Sequence, residues 1–510
     1  MFDTDNIIVS AEEMRQIEAA IFEQGMPVAA LMEKAATLIF HYIQSQYPRA
    51  QYPTIGVLVG PGHNGGDALV VARELYFAGY EVLLYRPLAK LKPLTKKHFD
   101  YAHFLKIFCT PNFEKFLDCD VIIDGLFGFG LEREITENLA LLIEQLNEAE
   151  KVVISIDLPS GLHTDTGKVL GTAVQATESL CLGLWKRLYT QDEAIPYIGE
   201  ATRLDFGMPP QILQDVLPLD INLQRMTTAI AQSFLPLARS PLTYKYQQGH
   251  LLLIGGSAQY AGSVILAALG ARAAGMGMVT IAVPESLKNV VVAQLPEALV
   301  IDCPESHEGV ITRLPTLDFS KYQAIACGCG LTLTGANNIL PDLVPREIPL
   351  ILDADALNWL AEDDLELIQH RHAPTILTPH LGEFRRLFAD QIPIGGDRLN
   401  MTQKAAKLSQ AITLLKGANT IISRPNGQTY CVTESTPALA RGGSGDVLLG
   451  LIGGLLAQMP DTPLEITATA AWWHAQAGIL AAKEQTLAGV DGVTLATYLT
   501  KFLAAMVANS

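Results

Sequence analysis

The chain has 510 residues, of which 49% are hydrophobic and 17% charged, and its 36 basic and 53 acidic residues give a formal net charge of −17. This length exceeds what one hydrophobic core organises, and the composition is typical of globular enzymes rather than of disordered segments. The negative charge repels a phosphate backbone and no basic stripe offsets it, so we expect no nucleic acid partner.

The spacing of the cysteines and the length of the apolar runs bear on the cellular compartment of the protein. The seven cysteines include no Cys-x-x-Cys motif and no Cys/His pair at zinc spacing, which favours buried, reduced thiols. The N-terminus is acidic ahead of its first apolar run, which argues against a signal peptide. The longest apolar stretch, residues 447–459, is shorter than the roughly 20 residues of a membrane span. We therefore expect a cytoplasmic protein without membrane association.

Two apolar helices are predicted before the first strand. Ser10 and Glu13 have the spacing of a helix-capping box, and apolar residues at positions 14, 17 and 21 share one helical face. A second apolar helix is predicted over residues 29–43. We interpret both helices as packing elements.

A βαβ unit follows. Its predicted strand, loop, helix and second strand are residues 54–59, 60–67, 68–78 and 81–85. The loop contains Gly60-x-Gly62-x-x-Gly65, the spacing of a dinucleotide-binding fingerprint. However, Arg86-Pro87 stands where that fingerprint has an acid. The departure argues against an ordinary NAD-dependent dehydrogenase.

Polar side chains follow the later strands of this half. A predicted strand ends at Asp124, and another ends at Asp157 shortly before Ser160. Because ligands bind beyond the carboxyl ends of parallel strands, we expect these residues to converge with Asn64. All four offer oxygen ligands, which suit a hard cation rather than zinc. Turn capping explains one such Asp, but not polar residues at three strand ends.

Residues from about 10 to 220 resemble the NAD(P)H-hydrate epimerase family. The family's Asn-Asn-Gly-Gly-Asp loop corresponds to residues 63–67, with His63 in place of the first Asn and Ala68 in place of the Gly that usually follows. Its Asp-Gly/Ala-Leu-Phe-Gly and Asp-Leu-Pro-Ser-Gly segments correspond to residues 124–128 and 157–161. The resemblance implies a potassium site. Its ligands would be Asn64, Asp124 and Ser160.

The same resemblance implies a set of residues that contact the hydrated nucleotide. They are His63, Asn64, Gly65, Gly66, Asp67, Gly128, Phe129, Gly130, Leu131, Glu132, Arg133, Glu134 and Asp157. Asp157 is also our candidate for proton transfer, because a strand-end carboxylate beside the ligand can serve as acid or base.

The second half restarts the α/β pattern. Between about 205 and 235 the periodicity weakens and prolines cluster at Pro209, Pro210 and Pro218, which places a domain boundary at 225/226. A strand, a glycine-rich turn, a helix and a strand are predicted over residues 249–254, 255–262, 263–274 and 278–283. Further strands are predicted to end at residues 327–330, 352–355, 377–380 and 416–417. The prediction is a second doubly wound domain.

The strongest local motif is Ala440–Asp446, directly before an apolar helix predicted over residues 447–458. Gly442, Gly443 and Gly445 let the backbone approach an anion, and unpaired N–H groups at the helix start point towards it. Asp446 is placed to polarise a substrate hydroxyl beside a bound phosphate. For an isolated motif of this kind, tight packing is an equally good explanation.

The neighbouring motifs favour function. Segments 353–358, 378–383 and 415–420 occur in the order found in ribokinase-like proteins, and residues 240–505 resemble the ADP/ATP-dependent NAD(P)H-hydrate dehydratase family. The resemblance implies Mg²⁺ on the nucleotide phosphates and ADP bound by Lys416, Gly417, Ala418, Asn419, Thr420 and Gly445. It implies hydrate binding by Ser263, Gly330, His380 and Asp446.

This half also departs from the family pattern. Ser263 stands where Ala is common, Cys329 and Thr332 replace a Pro and a Gly, and Asn419 replaces a frequent Gly. His474 beside two tryptophans is typical of core packing, so we leave it out of the site.

The two resemblances imply a bifunctional α/β enzyme: a Rossmann-like epimerase domain at residues 1–225 and a ribokinase-like dehydratase domain at residues 226–510. The first would interconvert the R and S forms of hydrated NADH and NADPH. The second would use ADP, with Asp446 as base, to dehydrate the S form and release AMP and phosphate. The alternative is a ribokinase-like vitamin-precursor kinase fused to a non-catalytic nucleotide-binding module. Beyond these small molecules, we expect further copies of the chain as partners in a homo-oligomer.

Overall fold

The computed structural model describes residues 4–217, 222–332, 339–363 and 365–508. The chain divides into two compact units, Met1–Ile221 and Asn222–Ser510. The division falls shortly before the predicted boundary, because Leu223–Arg225 is a strand at the edge of the second unit's sheet.

A parallel sheet forms the centre of the first unit. The strands are β1 (Ile8–Val9), β2 (Thr54–Val59), β3 (Glu81–Tyr85), β4 (Phe108–Cys109), β5 (Val121–Gly125), β6 (Val152–Ile156), β7 (Glu178–Leu182), β8 (Trp185–Lys186) and β9 (Glu200–Leu204). In the described part of this unit, seven of them form a sheet in the order β4-β3-β2-β5-β6-β7-β9, and β1 pairs with β8 apart from it. The chain winds outwards in both directions from β2 and β5, so a crevice opens at their carboxyl ends.

Helices cover this sheet. They are α1 (Ala11–Glu23), α2 (Val28–Gln46), α3 (His63–Phe77), α4 (Pro93–Phe104), α5 (Phe113–Phe116), α6 (Glu137–Glu148), α7 (Ile195–Ile198) and α8 (Pro210–Val216). The predicted capping box is confirmed: the Ser10 hydroxyl accepts from the Glu13 N–H, and the Glu13 carboxylate accepts from the Ser10 N–H.

The helix after β2 begins earlier than expected. The prediction that it starts at residue 68 is wrong, because α3 begins at His63 and the expected loop residues 63–67 form its first turns. The helix starts very close to the end of the strand. A Cβ on Gly65 would lie 2.0 Å from the carbonyl oxygen of Gly60, so only glycine fits there.

A larger sheet forms the second unit. Its strands are β10 (Leu223–Arg225), β11 (His250–Ile254), β12 (Met278–Pro284), β13 (Leu299–Cys303), β14 (Ala324–Cys327), β15 (Leu350–Leu352), β16 (Thr375–Leu377), β17 (Ile412–Leu415), β18 (Thr420–Ser423) and β19 (Thr429–Val432). Over the described residues the order is β10-β19-β18-β17-β16-β15-β14-β11-β12-β13. The pairs of β18 with β17 and β19 are antiparallel and all the others are parallel. The winding reverses between β11 and β14, which places a second crevice at their carboxyl ends.

The helices of the second unit are α9 (Thr228–Gln232), α10 (Ala261–Ala273), α11 (Lys288–Gln294), α12 (Ile339–Leu343), α13 (Asp355–Asp363), α14 (Glu366–Gln369), α15 (Leu381–Phe388), α16 (Arg398–Ser409), α17 (Ser444–Gln458), α18 (Pro463–Gln485) and α19 (Gly492–Ala508). Helix α17 begins at Ser444, one turn before the predicted start. It packs so closely on α10 that a Cβ on Gly450 would lie 1.6 Å from the Ala267 carbonyl oxygen. The glycines of α17 therefore allow helix–helix contact. The prediction of two doubly wound α/β units is confirmed.

No helix in the described ranges is both long and apolar enough to span a bilayer. All seven cysteines, which lie within those ranges, are free thiols, and six of them are buried.

Candidate active sites of the two units

A cavity of about 610 Å³ lies in the first unit at the crevice between β2 and β5. Predicted substrate residues that line it are His63, Asn64, Asp67, Gly128, Phe129, Gly130, Leu131, Glu132, Arg133 and Asp157. Three predicted contacts do not line it. Gly65 packs on Gly60, a Cβ on Gly66 would meet Met32, and Glu134 is exposed beyond the cavity.

Asp157 is held rigidly at the base of this cavity. Its backbone takes the left-handed conformation, with φ of +70°, and its carbonyl accepts a 2.7 Å hydrogen bond from the Tyr189 hydroxyl. The carboxylate accepts from the N–H groups of Phe129 and Leu182, both at 3.3 Å. A non-glycine residue in this backbone region is strained, and such strain is concentrated at functional sites.

Lys186, which sequence reasoning did not single out, completes the environment of Asp157. Its Nζ lies 2.5 Å from Oδ1 of Asp157, donates to the Leu182 carbonyl at 2.5 Å, and is almost completely buried. Burial by itself would lower the pKa of Lys186, but the Asp157 carboxylate outweighs it and the pKa is raised. The sequence offered only a weak signal for this role: Lys186 ends the apolar run that begins at residue 180, and this run contains no motif that we recognised.

Helix α1 supplies a further ionisable group to the cavity and is therefore more than a packing element. Arg15, Glu18 and Phe22 lie on one of its faces and line the cavity. Burial raises the pKa of Glu18 to about 7, an effect that Lys186 opposes. Burial also raises the pKa of Asp67 well above its ordinary value, with a further contribution from Asp157.

Two of the three predicted potassium ligands are hydrogen-bonded to each other. The Ser160 hydroxyl and N–H donate to the Asp124 carboxylate at 2.7 and 2.9 Å, and Ser155 and Leu126 complete its four bonds. Burial raises the pKa of Asp124, and the bonds from Ser160 oppose that shift. Asp124 and Ser160 are fully buried behind the cavity, whereas Asn64 lines it and its side-chain nitrogen is buried without a hydrogen-bond partner.

The two departures from the family loop have different surroundings. His63 is largely exposed at the start of α3, and the partial burial of its ring, with Lys92 nearby, lowers its pKa. Ala68 is fully buried and packs on the end of β5, where a Cβ on Gly125 would lie 2.3 Å from its own. Ala68 therefore affects helix–strand packing rather than the cavity surface.

A cluster of charged residues lies at the crevice of the second unit. The Nζ of Lys416 lies 2.7 Å from Oδ1 of Asp353 and 4.0 Å from Oε2 of Glu383. Burial by itself would lower the pKa of Lys416, but Asp353 and Glu383 outweigh it and the pKa is raised. Burial raises the pKa of Glu383, which Lys416 opposes. Asp353 and Glu383 lay in motifs that we recognised, but neither was predicted as a site residue.

The start of α17 faces this cluster. Gly443 takes a left-handed conformation with φ of +92°, and a Cβ there would lie 2.5 Å from a Leu266 methyl. On Gly445 a Cβ would lie only 3.5 Å from the Nζ of Lys416. Burial and Asp353 raise the pKa of Asp446 to about 7, and a hydrogen bond from the Ser263 hydroxyl opposes the shift. The positive end of the helix dipole, a cation and a titratable carboxyl therefore lie side by side at the start of α17.

The remaining predicted hydrate contacts lie near these groups. A Cβ on Gly330 would lie 3.1 Å from that of Ser263. His380 caps α15, since its Nδ1 accepts from the N–H groups of Gly382 and Glu383 at 2.9 and 3.2 Å. The predicted hydrate contacts thus form two groups. Gly330 and Asp446 both adjoin Ser263, and His380 adjoins Glu383, which lies beside Lys416.

The predicted ADP segment forms the turn between β17 and β18. Gly417 and Ala418 are exposed, whereas Asn419 is buried. The Arg398 guanidinium donates to the carbonyls of Lys416 and Asn419 at 3.0 and 3.3 Å and so fixes the turn. Thr420 Oγ1 donates to the Gly417 carbonyl at 3.3 Å.

His474 is buried, as its interpretation as a core residue requires, and it also contacts the start of α17. Its Nε2 lies 3.0 Å from the carbonyl oxygen and 3.3 Å from the hydroxyl oxygen of Ser444. Burial lowers the pKa of His474 to about 4, so the ring is neutral at physiological pH. The Ser444 carbonyl is an acceptor, so the tautomer that carries its proton on Nε2 fits this contact.

Family models match most of each unit. A family model described as YjeF-related protein N-terminus matches residues 28–188, and one described as NAD(P)H-hydrate dehydratase matches residues 251–501. A bifunctional NAD(P)H-hydrate repair enzyme from Synechocystis sp. is 53% identical over 494 residues, which are 96% of this chain and 94% of that protein. A protein of the same name from Thermosynechococcus vestitus is 50% identical over 493 residues, 96% of each chain.

A solved structure of the ADP/ATP-dependent NAD(P)H-hydrate dehydratase from Bacillus subtilis, co-crystallised with ATP/Mg²⁺, is 28% identical and covers 55% of this chain and 98% of its own, with a TM-score of 0.48.

The fold and the two crevices define an enzyme of two fused α/β units, each with acid–base groups at the carboxyl ends of its parallel strands. Two relatives each match 96% of the chain and therefore both units. The chain belongs to the family of bifunctional NAD(P)H-hydrate repair enzymes, and the predicted family is confirmed.

Proposed function

We propose that the chain repairs hydrated NADH and NADPH in two reactions. The first unit interconverts the R and S epimers of the hydrate, and the second converts the S form into the reduced cofactor while ADP becomes AMP and phosphate. The observation that carries the proposal is the placement of Asp446 in the first turn of α17, directly after Gly445, whose Cβ position would lie 3.5 Å from the Nζ of Lys416. The alternative, a vitamin-precursor kinase fused to a non-catalytic module, is not favoured because full-length relatives are repair enzymes.

The dehydration chemistry follows from this geometry. Asp446 takes the proton of the ring hydroxyl while that oxygen attacks the terminal phosphorus of ADP and AMP leaves. Phosphate is a better leaving group than hydroxide. It then departs with its bonding electrons as the neighbouring ring carbon loses a proton, which restores the dihydronicotinamide. The N–H groups at the start of α17 and the Lys416 ammonium stabilise the charge on the transferred phosphoryl group.

The nucleotide subsite would be formed by Lys416, Gly445 and the β17–β18 turn, residues 417–420. Mg²⁺ is held mainly by phosphates and water in such sites, with one or two carboxylates. Asp353 fits that role, since its Oδ2 lies 4.0 Å from the position of a Cβ on Gly445. Bound there, the ion would neutralise phosphate charge.

The epimerase site would use Asp157 for proton transfer, with potassium nearby. The carboxylate of Asp124, the hydroxyl of Ser160 and the amide oxygen of Asn64 are the hard oxygen ligands that potassium prefers. The unpartnered Asn64 nitrogen is buried at this position, and rotating the amide would present its oxygen instead. The residues therefore fit the ion, which when bound would stabilise negative charge beside Asp157.

The test uses the full-length chain. With ADP, Mg²⁺ and S-form hydrated NADH, we expect absorbance of reduced nicotinamide to recover; no recovery with ADP or with ATP would contradict the proposal. Asp157→Asn should abolish interconversion of the epimers, which is measured by chromatography, and should leave dehydration of the S form intact. Exchanging potassium for lithium should slow interconversion alone.

We also propose a cytoplasmic homo-oligomer. The free, mostly buried cysteines agree with a reducing compartment. Cell fractionation and sedimentation velocity test the two parts separately.

A further inference from the structure

Glu18 occupies an unusual position for a glutamate on an amphipathic helix. Its neighbours Met14, Ile17 and Ile21 pack into the core of the first unit, whereas Glu18 lines the cavity that holds Asp157. The charged and titratable side chains that line the same cavity are Arg15, His63, Asp67, Lys92, Glu132, Arg133, Asp157 and Lys186.

The three carboxyl groups near Lys186, those of Asp157, Asp67 and Glu18, have different electrostatic surroundings. Asp157 accepts hydrogen bonds from the Lys186 ammonium at 2.5 Å and from the N–H groups of Phe129 and Leu182. Burial and the negative charges of Asp157 and Glu18 raise the pKa of Asp67 well above its ordinary value. Glu18, with a pKa near 7, exchanges protons at physiological pH.

The other cations that line the cavity, Arg15, Lys92 and Arg133, are exposed residues. Arg15 pairs with Glu12 at 3.0 Å and with Glu132 at 2.9 Å, both across exposed side chains. Among the described residues that line the cavity, Lys186 is therefore the buried cation.

We propose that Glu18 is a second proton-transferring residue of the first unit and acts together with Asp157 on the hydrated nicotinamide ring. Glu18 enters the cavity from α1 and Asp157 from the end of β6, so the two groups approach a bound ring from different elements. The inference rests on the proposed epimerase function and adds a specific acid–base partner to it.

The step balances as a water exchange at one ring carbon. Glu18 in its acid form gives a proton to the hydroxyl as the carbon–oxygen bond breaks, the ring nitrogen supplies an electron pair, and water leaves. A second water adds to the same carbon from the opposite face while Asp157 takes a proton from it, and the nitrogen regains its electron pair. One water is released and one consumed, and Asp157 gains a proton for the one that Glu18 loses. The reverse reaction starts from protonated Asp157.

The test measures conversion of R-form to S-form hydrated NADH by the full-length chain in potassium buffer, after subtraction of the spontaneous rate. Glu18→Gln keeps the size and polarity of the side chain but cannot transfer the proton. We expect its kcat to fall by about 100-fold or more, with KM within about threefold. Glu18→Asp should recover part of the loss. The matched control is Glu23→Gln on the same helix, where the side chain is exposed and does not line the cavity; it should match the wild type.

Two further measurements distinguish catalysis from structure. The wild-type kcat should fall as Glu18 is deprotonated above about pH 7, and the residual activity of Glu18→Gln should lack that limb. In ¹⁸O-labelled water, each turnover should place one solvent oxygen in the product. Glu18→Gln activity within threefold of wild type, a change in KM alone, or product without solvent oxygen would each overturn the proposal. A wild-type chain that does not interconvert the epimers at all would instead overturn the epimerase function itself.

Discussion

The Nζ of Lys186 lies 2.5 Å from Oδ1 of Asp157, and the two side chains are only 1% and 5% exposed. An isolated charge at this depth is unstable in water-free surroundings, so each residue depends on the other. The pair also explains how two ionisable side chains are accommodated at the base of a largely apolar cavity.

Lys186→Met should therefore destabilise the first unit by about 3–5 kcal/mol and abolish interconversion of the epimers, because it leaves Asp157 buried without a cation. The double variant Asp157→Asn/Lys186→Met should recover most of that stability but none of the activity. Urea unfolding, followed for each variant alongside epimer chromatography, measures both. Wild-type stability in the single variant would contradict the interpretation.

Dehydration should depend on the ionisation of Asp446. Because burial raises the pKa of Asp446 to about 7 and the base form is required, kcat for dehydration should rise with pH from about 5.5 and level off above about 8. Stopped-flow absorbance of reduced nicotinamide across that range gives the profile. Asp446→Asn should lose dehydration and retain interconversion of the epimers. A profile that is flat from about pH 5.5 to 8.5 would argue against Asp446 as the base.

The same shift predicts a stability difference. The pKa of Asp446 is higher in the folded chain than its ordinary value of 3.8, so its contribution to stability is full below about pH 4 and is lost as pH rises through about 7. At pH 8, Asp446→Asn should make the second unit more stable than the wild type by about 1–3 kcal/mol, and the difference should vanish towards pH 4. Denaturant unfolding at the two pH values tests the sign, and a less stable variant at pH 8 would refute it.

His474 should act on the second site through α17. His474→Leu removes the contact with the Ser444 carbonyl, whereas His474→Gln keeps an amide donor. We expect the Leu variant to lose about 1–3 kcal/mol of stability and about tenfold in kcat/KM for ADP, and the Gln variant to lose less of both. Interconversion of the epimers in the first unit provides the internal control and should not change. Equal losses in both reactions would indicate general unfolding instead.

The sequence anticipated the positions that follow strands. Asp124 and Ser160 were expected at one sheet edge, and they are 2.7 Å apart in the structure. Periodicity identifies the strands, and the carboxyl ends of parallel strands lie at the same edge of a sheet. The position of a polar residue directly after an apolar strand can therefore be predicted from the sequence. Helix starts were less predictable: α3 and α17 begin within glycine-rich segments whose low helix propensity is overcome by close packing on neighbouring backbone.

By itself, the sequence determined the class of fold, the order of its elements and the family, because these follow from periodicity and from motifs contiguous in the chain. Only the tertiary structure decided that Lys186 pairs with Asp157, that Glu18 faces the cavity, and that Asp353 joins Lys416 beside Asp446. A lone lysine after a strand or a glutamate on a helix has no local signature of its role. Its ionisation depends on burial and on charges brought close by distant segments, which exist only once the chain has folded.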